Sequence, residues 1–455
     1  MQPSWPHNIL PFQARAIAAL SKSATLLAQR AANDPSKIKM LPYDNFNWVA
    51  RAWESTALHG TVTHDKVSAL LVILPTLPEG PTAAEITDTR NFTATEGRRH
   101  EIDPSKSLLD ILPDAADHQV FCGNAILHIM NILAADVQSF GQYTSRIPSF
   151  DDPTAIPPRK TEEYYLPTFD QEQGSTRGNM VVLEHYFGKV LNIPKETFEH
   201  TMFTVLGDRL TTVRDRAAQD QRAIDRSAYR FDHLSSFSMV SGLMHFVLNF
   251  MEAIGKNAWG SSSASDDVSL LTLRDTLPNR QAEIDMKKVD YYAWLQFLDV
   301  ILRSLAIKAA LTVLGLQSPD ELSKKIQSFT SFQKLATQIV DEFLLLAPTG
   351  LEALGKKTLK GNTVCGHAIV LMLHLTTLRE MQHAIKHGHP KRIQRIIKFW
   401  LPMFYAASSY NYANECMELL HNVIHDWPKD YAQIAFNGML VNPTGKPGSC
   451  KPTDI

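Results

Sequence analysis

The chain has 455 residues, 44% hydrophobic and 20% charged, a composition that suits a folded globular protein and excludes a wholly disordered one. Its 45 basic and 47 acidic side chains leave a formal net charge of −2. No global field therefore draws it to nucleic acid or an anionic membrane, and a polyanion would have to meet a local basic patch.

The opening Met1-Gln2-Pro3-Ser4-Trp5-Pro6 has no basic stretch followed by an apolar one, so no secretory signal is expected. Residues 12–32 show helical spacing of Ala, Leu and Ile, stopped by Asn33, Asp34 and Pro35. Residues 37–43 read as a short strand running into Asp44, and residues 67–74 as a second strand rich in Val, Ile and Leu. The apolar run 68–77 is too short to span a bilayer and contains Pro75. Residues 75–113 are polar and contain several prolines, the texture of a surface loop or insertion.

Residues 117–140 predict a helix and 144–160 a proline-rich connector. A strand at 163–169 and a helix at 176–191 follow, the helix broken by Pro194. The next strand, 200–206, ends in Gly207-Asp208. Residues 208–225 are charged and helical, 234–240 read as a strand, and 243–254 as a helix. From there to about Tyr431 the pattern is helical, with breaks at 261–265, Pro278-Asn279, Ser318-Pro319, Pro348-Thr349-Gly350 and His389-Pro390. The apolar stretch 297–316 carries Asp299, Arg303 and Lys308, so it reads as a buried amphipathic helix and not a membrane span. From Pro443 the chain is Pro/Gly-rich.

Strands in the first half and helices in the second predict an α/β, predominantly helical protein. Its core would be a mixed sheet of roughly four to six strands. The expected division is an N-terminal helix (1–36), an α/β core with a loop insertion (37–260, insertion 75–113), a helical insertion or appended bundle (261–405), C-terminal helices returning to the core (406–442) and a tail (443–455). The four cysteines, Cys122, Cys365, Cys416 and Cys450, form no C-x-x-C pair, which excludes a sequence-local zinc site and suggests a reducing, intracellular compartment, nuclear or cytoplasmic. No phosphate-binding GxxxxGK[ST] loop, dinucleotide GxGxxG, HExxH or GxSxG motif is present, and no organic cofactor is expected.

Three acidic positions carry the chemistry. Asp44, in Tyr43-Asp44-Asn45-Phe46-Asn47, follows a strand, with Asn45 and Asn47 able to orient it; taken alone, an Asx turn capping the next element is the commoner explanation. Asp208 follows an apolar strand and Gly207, which permits close backbone approach; it also fits the N-cap of the next helix. Glu415 lies on a helical pattern near Asn411, where an exposed Glu would be ordinary. Together, Asp44, Asp208 and Glu415 have the order of an RNase H-like metal site, in which carboxylates from separate elements hold Mg²⁺ or Mn²⁺ for phosphoryl transfer. His245, soon after the second aspartate, could orient a scissile phosphate or be a core histidine. Between Arg379 and Lys398, the side chains of Lys386, Lys391, Arg392 and Arg395 could bind phosphates, with Trp400 stacking on a base; the solvated face of two helices is the competing reading.

At these residues the chain resembles a family of unknown function abundant in mushroom-forming fungi and often found in mobile-element-rich regions. The resemblance rests on Asp44-Asn45-Phe46-Asn47, Gly207-Asp208-Arg209-Leu210-Thr211, the segment around His245 ending in Trp259-Gly260, Ala384-Ile385-Lys386-His387-Gly388, Arg392-Ile393, Tyr410-Asn411-Tyr412-Ala413-Asn414-Glu415 and Val441-Asn442-Pro443-Thr444-Gly445. It runs from about Lys37 onward. Its link to RNase H-like transposases is an inference from carboxylate order. Relatives often carry an acidic or polar residue just before the histidine, where Leu243 and Met244 stand here, and their pattern continues past Asp454-Ile455 into a polar, acidic segment. The expectation is a transposase-derived, RNase H-like, metal-dependent nuclease or strand transferase acting on DNA. The alternative is a catalytically inactive domesticated copy serving as a nucleic-acid-binding or protein-interaction scaffold. A purely helical adaptor built on the segment after Ser265 is the third reading.

Overall fold

A computed structural model describes residues 11–50, 61–76, 80–92, 104–260, 268–278, 284–286, 288–344 and 363–454. The opening six residues and the breaks at 261–265, Asn279 and Pro348-Thr349-Gly350 lie outside them. The chain forms two compact units. One comprises residues 1–102, 157–245 and 421–455, and the other 103–156 and 246–420.

The first unit is built on a mixed five-stranded sheet: β1 (Ile38–Ala50), β2 (Val62–Leu74), β3 (Glu162–Tyr165), β4 (Phe203–Gly207) and β5 (Phe237–Ser241), in the order β3-β2-β1-β4-β5. β2 runs antiparallel to β1 and β3, whereas β4 is parallel to both β1 and β5. All five strand positions expected from the sequence are occupied, and the first and fourth pair directly, Leu41 opposite Val205.

Alternation along the strands makes two faces. Leu41 and Tyr43, Val67 to Ile73 at every second residue, Phe203 and Val205, and Phe237 and Met239 belong to one buried cluster. Ala28, Ala31 and Ala32 of the helix Pro11–Ala32 close it, with residues of 180–193 and Ala218 of the helix Arg209–Arg222. Met40 and Thr204 belong to the opposite face. There the helix Lys429–Asn437 packs: Tyr431 shares a 2.7 Å hydrogen bond with Thr204, and a Cβ on Gly438 would meet Met40 at 2.5 Å. β4 and β5 are buried along their whole length, as parallel strands covered on both sides must be.

Three expectations change here. β1 does not stop at Tyr43 but continues to Ala50, because residues 43–50 pair with 62–69 of β2 in a long antiparallel ladder. Segment 75–113 carries short helices, Ala83–Ile86, held by a Thr82/Glu85 capping box, and Pro104–Ile111; residues 93–103 are outside the described set. The C-terminal residues are not a loose tail: β6 (Leu440–Val441) pairs with β7 (Lys451–Pro452). Asn442 holds the intervening turn, accepting from the Gly445 N–H at 2.8 Å and donating to the Lys446 carbonyl at 2.9 Å.

The second unit is helical. It takes residues 103–156 as well as 246–420, so the division at 261 and 405 expected from the sequence is not where the chain changes unit. Its core includes Trp400 stacked on Phe250 with ring centroids 4.0 Å apart, and the buried Trp294. No helix among the described residues is long and apolar enough to cross a membrane.

Candidate functional site

The parallel pair β4–β5 sets up the site. β4 ends at Gly207, and Asp208 at once caps the helix Arg209–Arg222, its Oδ1 accepting from the Thr211 N–H at 2.7 Å. A Cβ on Gly207 would lie 2.6 Å from the Thr211 methyl, so any side chain there would force Thr211 to shift at this tight strand-to-helix turn. Asp208 is thus a cap, and it also faces a cleft. β5 likewise ends beside a glycine: the Gly242 N–H donates to the Gly207 carbonyl at 2.9 Å, tying the two strand ends together.

Asp44 sits on β1 next to β4, on the face opposite Tyr43. It lines a cleft with Pro42, Tyr43, Leu206, Gly207, Asp208, His245 and Asp454. The space enclosed is about 10 Å³, room for one water-sized group. Burial first, and then the Asp208 charge, push the Asp44 carboxyl up to about 6, against the opposing Asn45 N–H and His245.

Asp454 is a residue that sequence reasoning missed. The Thr453 N–H donates to the Met439 carbonyl at 3.0 Å, and its hydroxyl to the Gly438 carbonyl at 2.7 Å. These bonds deliver the next side chain into the cleft. Asp454 Oδ2 accepts from the His245 backbone N–H at 3.2 Å and lies 3.3 Å from His245 Nδ1. Its side chain is only 4% exposed, yet Oδ1 has no hydrogen-bond partner. A Cβ on Gly242 would overlap this carboxylate at 2.3 to 2.6 Å, so the glycine makes its space. Burial alone would lower the His245 imidazole, but the bond to Asp454 and the charges of Asp454, Asp208 and Asp44 outweigh it and raise it. The one legible signal was the pair of glycines, Gly207 and Gly242, at two strand ends.

The other expected residues fare differently. Asn45 and Asn47 are exposed on β1, and only the Asn45 backbone N–H reaches Asp44, at 2.8 Å. Glu415 and Asn411 belong to the helical unit, on the helix Tyr410–His421; Glu415 is buried and Asn411 exposed. Arg392 cannot be a phosphate ligand as it stands: it is 1% exposed and forks onto Glu380, with Nε–Oε1 2.8 Å and Nη2–Oε2 2.5 Å. Arg395 and Lys398 both pair with Asp117, and Trp400 is buried with Nε1 donating to Thr377, which removes it as a base-stacking platform. Lys386 and Lys391 remain exposed.

Among the described residues no three His, Cys, Asp or Glu side chains already stand in ligating positions for a metal. The donor set nonetheless suits a hard cation. It is mostly carboxylate oxygen, includes an orphaned buried one, and surrounds a space of ionic size. Mg²⁺ commonly takes one or two protein carboxylates and keeps several waters.

The family model of a family of unknown function, DUF6589, matches residues 100–455. The chain belongs to that family. The match includes Asp208, His245, Glu415 and Asp454 but begins after β1 and β2, so Asp44 lies outside it. No curated protein and no solved structure matches the chain.

Proposed function

We propose that the cleft at Asp44 and Asp208 binds a divalent cation, Mg²⁺ or Mn²⁺, and that the protein is a transposase-derived, RNase H-like enzyme of phosphoryl transfer on DNA. The observation that carries this reading is the meeting of acids from two neighbouring parallel strands and a third buried acid around one water-sized space. The strand order β3-β2-β1-β4-β5, with an acid on the central strand and another at the end of its parallel neighbour, agrees with an RNase H-like core. A cation bound there would supply charge neutralisation and polarisation of a phosphoryl oxygen. Asp44 and Asp208 would hold it. His245, its Nδ1 side turned to Asp454, would present its imidazole to an anionic phosphate.

A second reading, the catalytically inactive copy acting as a scaffold, draws support from the helical unit. There Arg392, Arg395 and Lys398 are taken up by internal ion pairs.

Thermal melts of wild type and Asp208→Asn, with and without millimolar Mg²⁺ or Mn²⁺, test the cation. Wild type should gain stability with metal, about 2.7 kcal/mol at a hundredfold excess over Kd. Asp208→Asn should lose that response while its metal-free fold stays intact or slightly firmer, because asparagine caps as well as aspartate and the repulsion with Asp44 is gone. A wild type indifferent to both metals overturns the proposal. A metal response without metal-dependent cleavage of DNA favours the inactive copy.

A further inference from the structure

We infer that Asp454, and not Glu415, is the third carboxylate of the cation site, so that the bound ion pins the C-terminal hairpin to the sheet. This rests on the cation reading above. Asp454 belongs to the unit that carries Asp44 and Asp208, whereas Glu415 belongs to the other. It lines the same cleft as both aspartates.

Its chemistry is unbalanced in a way that a cation would correct. Oδ2 is occupied by the His245 N–H and imidazole, but Oδ1 is buried without a partner. A buried acceptor left unpaired is costly, and a carboxylate more so than a neutral group. One imidazole faces three carboxylates, so the cleft carries excess negative charge. The surroundings are also built to hold Asp454 there. Thr453, 2% exposed, is bonded through both backbone and hydroxyl, and Gly242 leaves the room a side chain would fill. A residue serving only to cap the helix Leu243–Ala258 would be accounted for by Oδ2 alone.

Calorimetric titration of Mn²⁺ into the full chain tests the assignment, with Asp44→Asn, Asp208→Asn, Asp454→Asn and Glu415→Gln compared. Asp454→Asn should weaken binding by at least about tenfold, the loss that even an outer-shell partner commonly causes. Glu415→Gln should leave it unchanged. Hydrogen exchange on wild type gives a readout independent of any variant's folding: Mn²⁺ should slow exchange in the 440–454 segment. If Asp44→Asn and Asp208→Asn abolish binding but Asp454→Asn does not, or exchange in that segment ignores the metal, Asp454 is only a helix cap. In that case this inference fails and the cation reading survives. If wild type binds no Mn²⁺, both fail.

Discussion

Two buried charged clusters, one in each unit, solve the same problem in opposite ways. In the helical unit, Glu380 receives the Arg392 fork, the His128 imidazole at 2.7 Å and the Asn124 amide at 2.7 Å. Arg392 in turn lies over the Phe150 ring at 4.3 Å and reaches His389 Nδ1 at 2.7 Å. Burial would raise the Glu380 carboxyl, but these donors overcome it and hold it far below the usual range. In the sheet unit, Asp44 is raised to about 6, and Asp454 keeps an orphaned oxygen. The first cluster has every charge answered and reads as structure. The second is short of positive charge and reads as a place for a ligand. Burial of a titratable group is common to both; what separates them is whether the fold already provides the partner.

Breaking the closed cluster should have the largest effect. Glu380→Gln leaves the Arg392 charge buried without its counter-ion and should cost about 3–5 kcal/mol, measured by denaturant unfolding. A loss below 1 kcal/mol would mean that Arg392 finds another partner and that the contrast drawn above is false.

Gly242→Ala sharpens the other side. The new methyl would overlap the Asp454 carboxylate, an overpacking expected to cost about 1–3 kcal/mol. It should also evict Asp454 and so abolish the metal-induced rise in Tm, although every acid is still present. A retained metal response would show that Asp454 has no part in it.

An effect that is small per pH unit but cumulative concerns a buried acid beneath the site. Asp215, wholly buried on the helix Arg209–Arg222, lies 2.8 Å from the Tyr43 hydroxyl, which is also 2.9 Å from Asn179 Oδ1. Burial pushes its carboxyl up to about 8, with Asp208 adding to the rise and Tyr43 and Arg216 opposing it. Tyr43 has a single hydroxyl proton for these acceptors, so a protonated Asp215 completes the network. A folded-state pKa above the unfolded one contributes stability that is whole below the unfolded value near 3.8 and is lost as pH rises through about 8. Between those limits wild type, in a metal chelator, should lose up to about 1.4 kcal/mol per pH unit relative to Asp215→Asn. Parallel pH profiles of the two proteins would contradict a neutral Asp215.

Local pattern was enough to locate the five strands and the turn at Gly207-Asp208, although it put Asp44 just after a strand and not on one. Each is a local pattern: apolar runs, a glycine, a capping aspartate. The sequence left Asp208 open between a helix cap and a site residue; in the fold the same side chain caps the helix and lines the cleft. That β1 runs on to Ala50 emerges only in the fold, since an antiparallel partner and not local composition sustains residues 43–50. The fold alone makes Arg392 and Trp400 core, because periodicity marks a face of a helix but not what covers that face. And only it brought Asp454 to the aspartates. A Pro/Gly-rich ending reads locally as a tail; its order comes from the β6–β7 pairing and the bonds of Thr453, contacts that exist only once the C-terminal segment has folded back over the sheet.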